Sequence, residues 1–158
     1  MFEMKKRSRM IYFGFIAVLM LSEMIAANIY SLLGPLEETA EFMGVDVESE
    51  RVRLVILIVL DAIPGIGAVL AIWGYRIIEA AWIGRIGVVV TTVGMLAYGS
   101  YQFWAATYLL GFMPNMHKMI GAAYFTLGIV SWFVGADLRQ GLSSPNQSMQ
   151  TDQPSAGR

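Results

Sequence analysis

Two carboxylates stand where hydrocarbon is expected: Glu23 in LMLSEMIAANIY and Asp61 in IVLDAIPG. In a low-dielectric surrounding two such groups cannot both be ionised cheaply. If within about 6 Å of each other they share one proton and titrate as a coupled pair. The chemistry this offers is proton or cation handling. Pro64 lacks an N–H, so the carbonyl of Leu60 is left without its helical donor one turn away from Asp61. Tyr98, Tyr101, Gln102 and Tyr124 can supply hydroxyl and amide groups to the same pair. A second set, Met113, Met116, His117 and Met119 in MPNMHKM, joins thioethers to one imidazole, a soft donor set suited to Cu(I).

The elements that must position these groups follow from composition. Of 158 residues, 56% are hydrophobic and 15% charged, with a mean hydropathy of +0.58. That is more apolar than ordinary soluble domains, so a lipid bilayer is the expected solvent. With no cysteine and one histidine, the chain has no disulfide, thiolate site or bis-histidine haem of its own. Walker, dinucleotide, nucleophile-elbow and HExxH signatures are missing, and nothing points to nucleic acid or names a cofactor.

Four apolar runs, near 10–34, 52–75, 86–112 and 117–138, are each long enough to cross about 30 Å of hydrocarbon as helix. The predicted fold class is all-α, an integral membrane four-helix bundle over 1–139 with a disordered cytoplasmic tail over 140–158. The first run continues to Leu33 with no A-x-A site after it, which favours a span over a cleaved signal peptide. Lys5, Lys6, Arg7, Arg9, Arg76, Arg85 and Arg139 flank one side of the spans. Glu37, Glu38, Glu41, Asp46, Glu48 and Glu50 crowd the other, which places both termini in the cytoplasm. Arg51, Arg53 and Lys118 are exceptions. Arg76, Glu79 and Arg85 read as topology anchors and lipid-headgroup contacts. Trp73, Trp82 and Trp132 fall at the inner boundary and Tyr30, Trp104 and Tyr108 at the outer one. Pro35 opens a short outer amphipathic helix that Gly44 can end, and Asp46 can cap the second span.

Inward faces are marked by small and polar residues at helical spacing, because lipid tails are as apolar as leucine. The stripes are Glu23, Ala27, Tyr30 and Gly34 in the first span, and Asp61, Gly65, Ala68 and Ile72 in the second. Gly84, Gly87, Thr91, Gly94, Tyr98, Gln102 and Ala105 mark the third, and His117, Gly121, Tyr124, Gly128, Ser131 and Gly135 the fourth. At about 1.5 Å per residue, Asp61 lies about 12 Å below Arg53 and Glu23 about 16 Å below Gly34, so one polar layer is expected in the outer half. The paired spacings Gly67/Gly74 and Gly128/Gly135, with YSLLGP against YLLGFMP, raise the expectation of two duplicated helical hairpins.

Asp61-x-x-x-Gly65, Gly74-x-Arg76 and Ala136-Asp137-Leu138-Arg139 on a four-helix layout resemble the DoxX-like membrane proteins. The Gly65-to-Gly74 spacing departs from that pattern, and no function or residue is carried over. The first functional expectation is a non-enzymatic accessory or assembly subunit that packs against other membrane-protein subunits or a second copy of itself. The alternatives are a small transporter or proton/cation relay through Glu23 and Asp61, and a copper- or quinone-handling redox accessory.

Overall fold

The computed structural model describes residues 6–77, 81–108 and 114–140. Met113, Glu79 and residues 141–158 of the expected tail lie outside the described residues. Among the described residues every element is helical: α1 (Lys6–Glu23), a π-helical stretch (Met24–Ile29), α2 (Tyr30–Leu33), α3 (Leu36–Met43), α4 (Val47–Arg76), α5 (Ala81–Tyr108), α6 (Pro114–Val134) and α7 (Ala136–Gln140). Three continuous helical stretches, Lys6–Leu33, Val47–Arg76 and Ala81–Thr107, are long and apolar enough to cross a membrane. The fourth apolar run forms the 21-residue α6, closed by a turn at Gly135.

α1 packs on α4, α4 on α5 and α5 on α6. Tyr12 donates to the Leu127 carbonyl and Glu23 accepts from Tyr124, which ties α1 to α6. The large apolar side chains that these contacts leave uncovered, among them Phe15, Val18, Val59, Ile66, Val93 and Phe133, point away from the core. This is the outward apolar surface that a lipid solvent demands. The core itself is Phe13, Ile16, Met20, Ala68, Ala71, Val88, Met95, Tyr98 and their neighbours.

The seams are set by glycine. At Gly67 an added Cβ would stand 2.6 Å from the Thr91 nitrogen, and at Gly84 it would stand 2.8 Å from the Cα of Gly74. A Cβ at Gly87 would collide with the backbone of Ala71, Leu70 and Gly67. Gly94 leaves room for the ring of Pro64, so the proline sits inside an unbroken α4 with its ring in the seam. These contacts run antiparallel, 67 against 91, 74 against 84 and 64 against 94. The α5–α6 seam continues the pattern through Gly99 on Gly121, Gly128 on Met95 and Leu96, and Gly135 on Val88. Both glycine pairs that motivated the duplication therefore meet the same helix, α5. A two-fold relation between hairpins would turn Gly128 and Gly135 toward α1, so these pairs do not support it.

Between α2 and α4, α3 buries Leu36 and Ala40, and Gly44 ends it at φ 68° in the left-handed region that favours glycine. Asp46 then caps α4, accepting from the Ser49 hydroxyl at 2.6 Å and the Ser49 N–H at 2.9 Å. Those two bonds, the hydroxyl first, hold the Asp46 carboxyl below its ordinary value of 3.8. A depressed folded-state pKa gives stability that is present above the unfolded value and lost as pH falls through the folded one. Acidification below about pH 4 is therefore expected to fray the first turn of α4. Faster hydrogen exchange at Ser49 and Glu50 in that window, absent in Asp46→Ala, checks this. In the α4–α5 seam, Gly87→Leu is expected to destabilise by about 3 kcal/mol through overpacking, read as thermal unfolding in detergent, whereas the exposed Val93→Leu is expected to be near neutral.

Candidate functional site

Glu23 is the last residue of α1, and the chain beyond it winds as a π-helix. An α-helix carries Ala27 and Tyr30 onto the face of Glu23, whereas each π turn takes up more residues and rotates the following side chains. Asn28 is accordingly buried, at 6% exposure, while Ala27 and Gly34 are exposed and Tyr30 is 67% exposed. The inward stripe expected for the first span is thus corrected after Glu23: the extra residue replaces Ala27 and Tyr30 by Asn28. The stripes on α4, α5 and α6 hold, with Ile72 and His117 half-buried and the others buried.

Asp61 is fully buried on α4. The Gly65 contact with Met20 and Leu21 and the Pro64 contact with Gly94 set it at the height of Glu23 on α1 and Tyr98 on α5. The Asn28 amide donates to Asp61 Oδ2 at 2.5 Å, and Asp61 Oδ1 is buried with no partner. Tyr98 donates to Glu23 Oε1 at 2.8 Å, and the Tyr124 hydroxyl donates to Glu23 Oε2. The two tyrosine rings lie 4.5 Å apart and sit in the field of both carboxylates, which also act on one another. Among the described residues no hydrogen bond joins Glu23 to Asp61. The structure thus brings Glu23, Asp61, Tyr98 and Tyr124 to one level, and Asn28, which the sequence did not single out, completes it.

Gln102 and Tyr101 stand apart from this group. Gln102 Oε1 pairs with His117 Nδ1 at 2.8 Å, about one helical turn from Tyr98 toward the α3 end of the helices. Tyr101 packs on Trp104 and lines a shallow groove with Val52, Arg53 and Ile56. Glu50, in the first turn of α4, is fully buried and receives Arg53 through Nε at 2.7 Å and Nη2 at 2.5 Å. This fork neutralises one of the outer arginines that broke the charge pattern, and Arg51 on Glu48 at 3.1 Å covers the second.

The methionine set does not converge. Helical rotation of about 100° per residue turns His117 toward Gln102, while Met116 and Met119 are 45% and 74% exposed. Met113 lies outside the described residues.

At the other end of the helices a second polar group appears that the sequence did not single out. The Tyr12 hydroxyl donates to the Leu127 carbonyl at 2.9 Å and lies 3.0 Å from Ser131 Oγ. Tyr75 donates to Asp137 at 2.8 Å and approaches the Val134 carbonyl at 3.2 Å, Arg9 pairs with Asp137, and Arg85 donates to the Leu138 carbonyl. A signal was available: Arg9 and Tyr12 share a face at i, i+3, and Asp137 is an acid among basic residues.

No family model, curated protein or solved structure matches this chain.

Asn28→Leu is expected to leave the Asp61 carboxyl with no donor and to destabilise the protein by about 1–3 kcal/mol. In a double-mutant cycle with Asp61→Leu, a coupling energy of about 0.6–1.7 kcal/mol is expected, within the range found for hydrogen bonds between membrane helices. A coupling near zero would mean that the Asn28–Asp61 bond contributes nothing to the fold.

Proposed function

We propose that the chain is a four-span membrane bundle with cytoplasmic termini, in which Glu23 and Asp61 form a proton-binding pair that works as a small relay open to the outer face. The observation that carries this is Asp61 Oδ1, buried beside a second carboxylate with no hydrogen-bond partner. A pair that served only to fasten helices would use its acceptors, since an unmet buried acceptor costs about 1–3 kcal/mol. A proton is favoured over a metal cation as the species bound. Both oxygens of Glu23 are occupied by tyrosine hydroxyls, leaving one free carboxylate oxygen in the layer. Entry from outside is supported by half-buried His117, bonded to Gln102 between the outer surface and the pair.

A fastening reading has its own support. Glu23, Asn28, Tyr98, Gln102, Tyr124 and His117 all find partners within the chain, so the layer also joins α1 to α4, α5 and α6.

Reconstituted in liposomes under an imposed potential, the protein is expected to conduct protons. Glu23→Gln with Asp61→Asn is expected to lower the flux about a hundredfold in protein that still folds and reaches the membrane. If the double variant instead loses stability or falls out of a larger assembly purified in mild detergent, and the native protein carries no flux, the fastening reading stands and the relay is discarded. Sodium-dependent flux at constant pH would transfer the site from protons to a monovalent cation.

A further inference from the structure

The groove that Tyr101 lines with α4 has a volume of about 360 Å³ and plays no part in the carboxyl pair. That is the size of an ordinary ligand pocket. Its walls change character along its length, and the α4–α5 seam gives the order. The contacts of 64 on 94, 67 on 91 and 74 on 84 keep one register. Extended toward the α3 end, that register sets Trp104 within one residue of the height of Arg53, and Tyr101 within one residue of that of Ile56. Asp46 and Glu48 line the groove at the start of α4. Arg53 reaches back to Glu50, so its guanidinium lies between these two carboxylates and the exposed apolar side chains of Val52 and Ile56. From the α3 end the groove thus presents carboxylates, then a guanidinium, then hydrocarbon.

These charged groups keep bonding capacity. Arg53 gives Nε and Nη2, one edge of its guanidinium, to Glu50, which turns Nη1 on the other edge away from that carboxylate. Asp46 accepts one bond from Ser49 at each oxygen and keeps a second lone pair on both. The same two bonds hold it ionised at neutral pH. Glu48 accepts from Arg51 at Oε2, and among the described residues its Oε1 makes no hydrogen bond. A free anion is disfavoured at this end, because Asp46 already occupies the start of α4. A simple organic cation would meet Arg53. What complements carboxylate, guanidinium and hydrocarbon in that order is an ammonium, a phosphate and an acyl chain in that order.

We infer that the groove holds the head of a phospholipid ending in a primary ammonium, of the ethanolamine type, with the ammonium on Asp46 and Glu48, the phosphate on Arg53 Nη1 and the start of a chain along Val52, Ile56 and Tyr101. A primary ammonium donates three hydrogen bonds to such acceptors, whereas the trimethylammonium of a choline head donates none. Trp104, half-exposed at the level of the phosphate, stands where an interfacial tryptophan is ordinarily found. This site rests on the membrane reading above and is independent of the proton-binding pair.

The test places the whole protein in vesicles of equal parts ethanolamine-, choline- and glycerol-head phospholipids with identical chains, then releases it in mild detergent and weighs the retained lipid by native mass spectrometry. Ethanolamine lipid is expected to be retained about fivefold over choline lipid, the effect of about one hydrogen bond. Asp46→Asn with Glu48→Gln removes both charges and keeps a side chain that can cap α4. It is expected to bring the heads within about twofold of one another. If that variant fails to fold, Glu48→Gln alone, at an exposed position, is expected to weaken the preference in the same direction. Arg53→Lys keeps a cation for Glu50 but has no second edge, and is expected to reduce retention of all the phosphate heads alike. Four results would each overturn the site and leave the membrane reading standing: equal retention of ethanolamine and choline heads by the native protein, a native preference for choline or glycerol heads, an ethanolamine preference unchanged in whichever carboxylate variant folds, or unchanged retention in Arg53→Lys. Failure of the native protein to enter vesicles would remove the membrane reading and this site together.

Discussion

Glu23 is held by two tyrosine hydroxyls, one from α5 and one from α6, and the place of α1 against the other helices depends on that clamp. Lipid supplies no hydrophobic drive for one helix to seek another, so association comes from close packing and from polar groups that have no better partner. α4 and α5 meet through glycine and need little else, as do α5 and α6. α1 has Gly14 in open space and no glycine in a seam of its own. It is fastened instead by side chains at three heights: Glu23 to Tyr98 and Tyr124, Tyr12 to Ser131 and Leu127, and Arg9 to Asp137. A carboxylate without donors in that surrounding would cost several kcal/mol, which makes the clamp an obligation of folding as much as a feature of function.

The glycine seams decide which polar groups meet. Gly67, Gly74, Gly84 and Gly87 let α4 and α5 approach until backbone touches backbone, and this pins their relative height within a fraction of a turn. Asp61 then falls level with Tyr98. The polar levels are consequences of a register set by residues that carry no chemistry. The π-helical stretch is the one local departure, and it occurs where α1 must present both Glu23 and Asn28 to the same interior. π turns inside helices occur frequently at functional sites.

Much of this was legible in the sequence. Small and polar residues at steps of three and four marked the buried faces of α4, α5 and α6, because those helices keep the regular period that the spacing assumes. The same rule failed beyond Glu23, since a π turn has no compositional signature and shifts the face by one residue. Asn28 was missed for that reason and not because an asparagine in an apolar run is inconspicuous. The burial of Glu50 was not legible, because a first-turn acid is ordinarily solvated, while Arg53 one turn later folds back onto it. The cluster of Arg9, Tyr75 and Asp137 joins residues more than 60 positions apart, a pairing that helix periodicity does not carry.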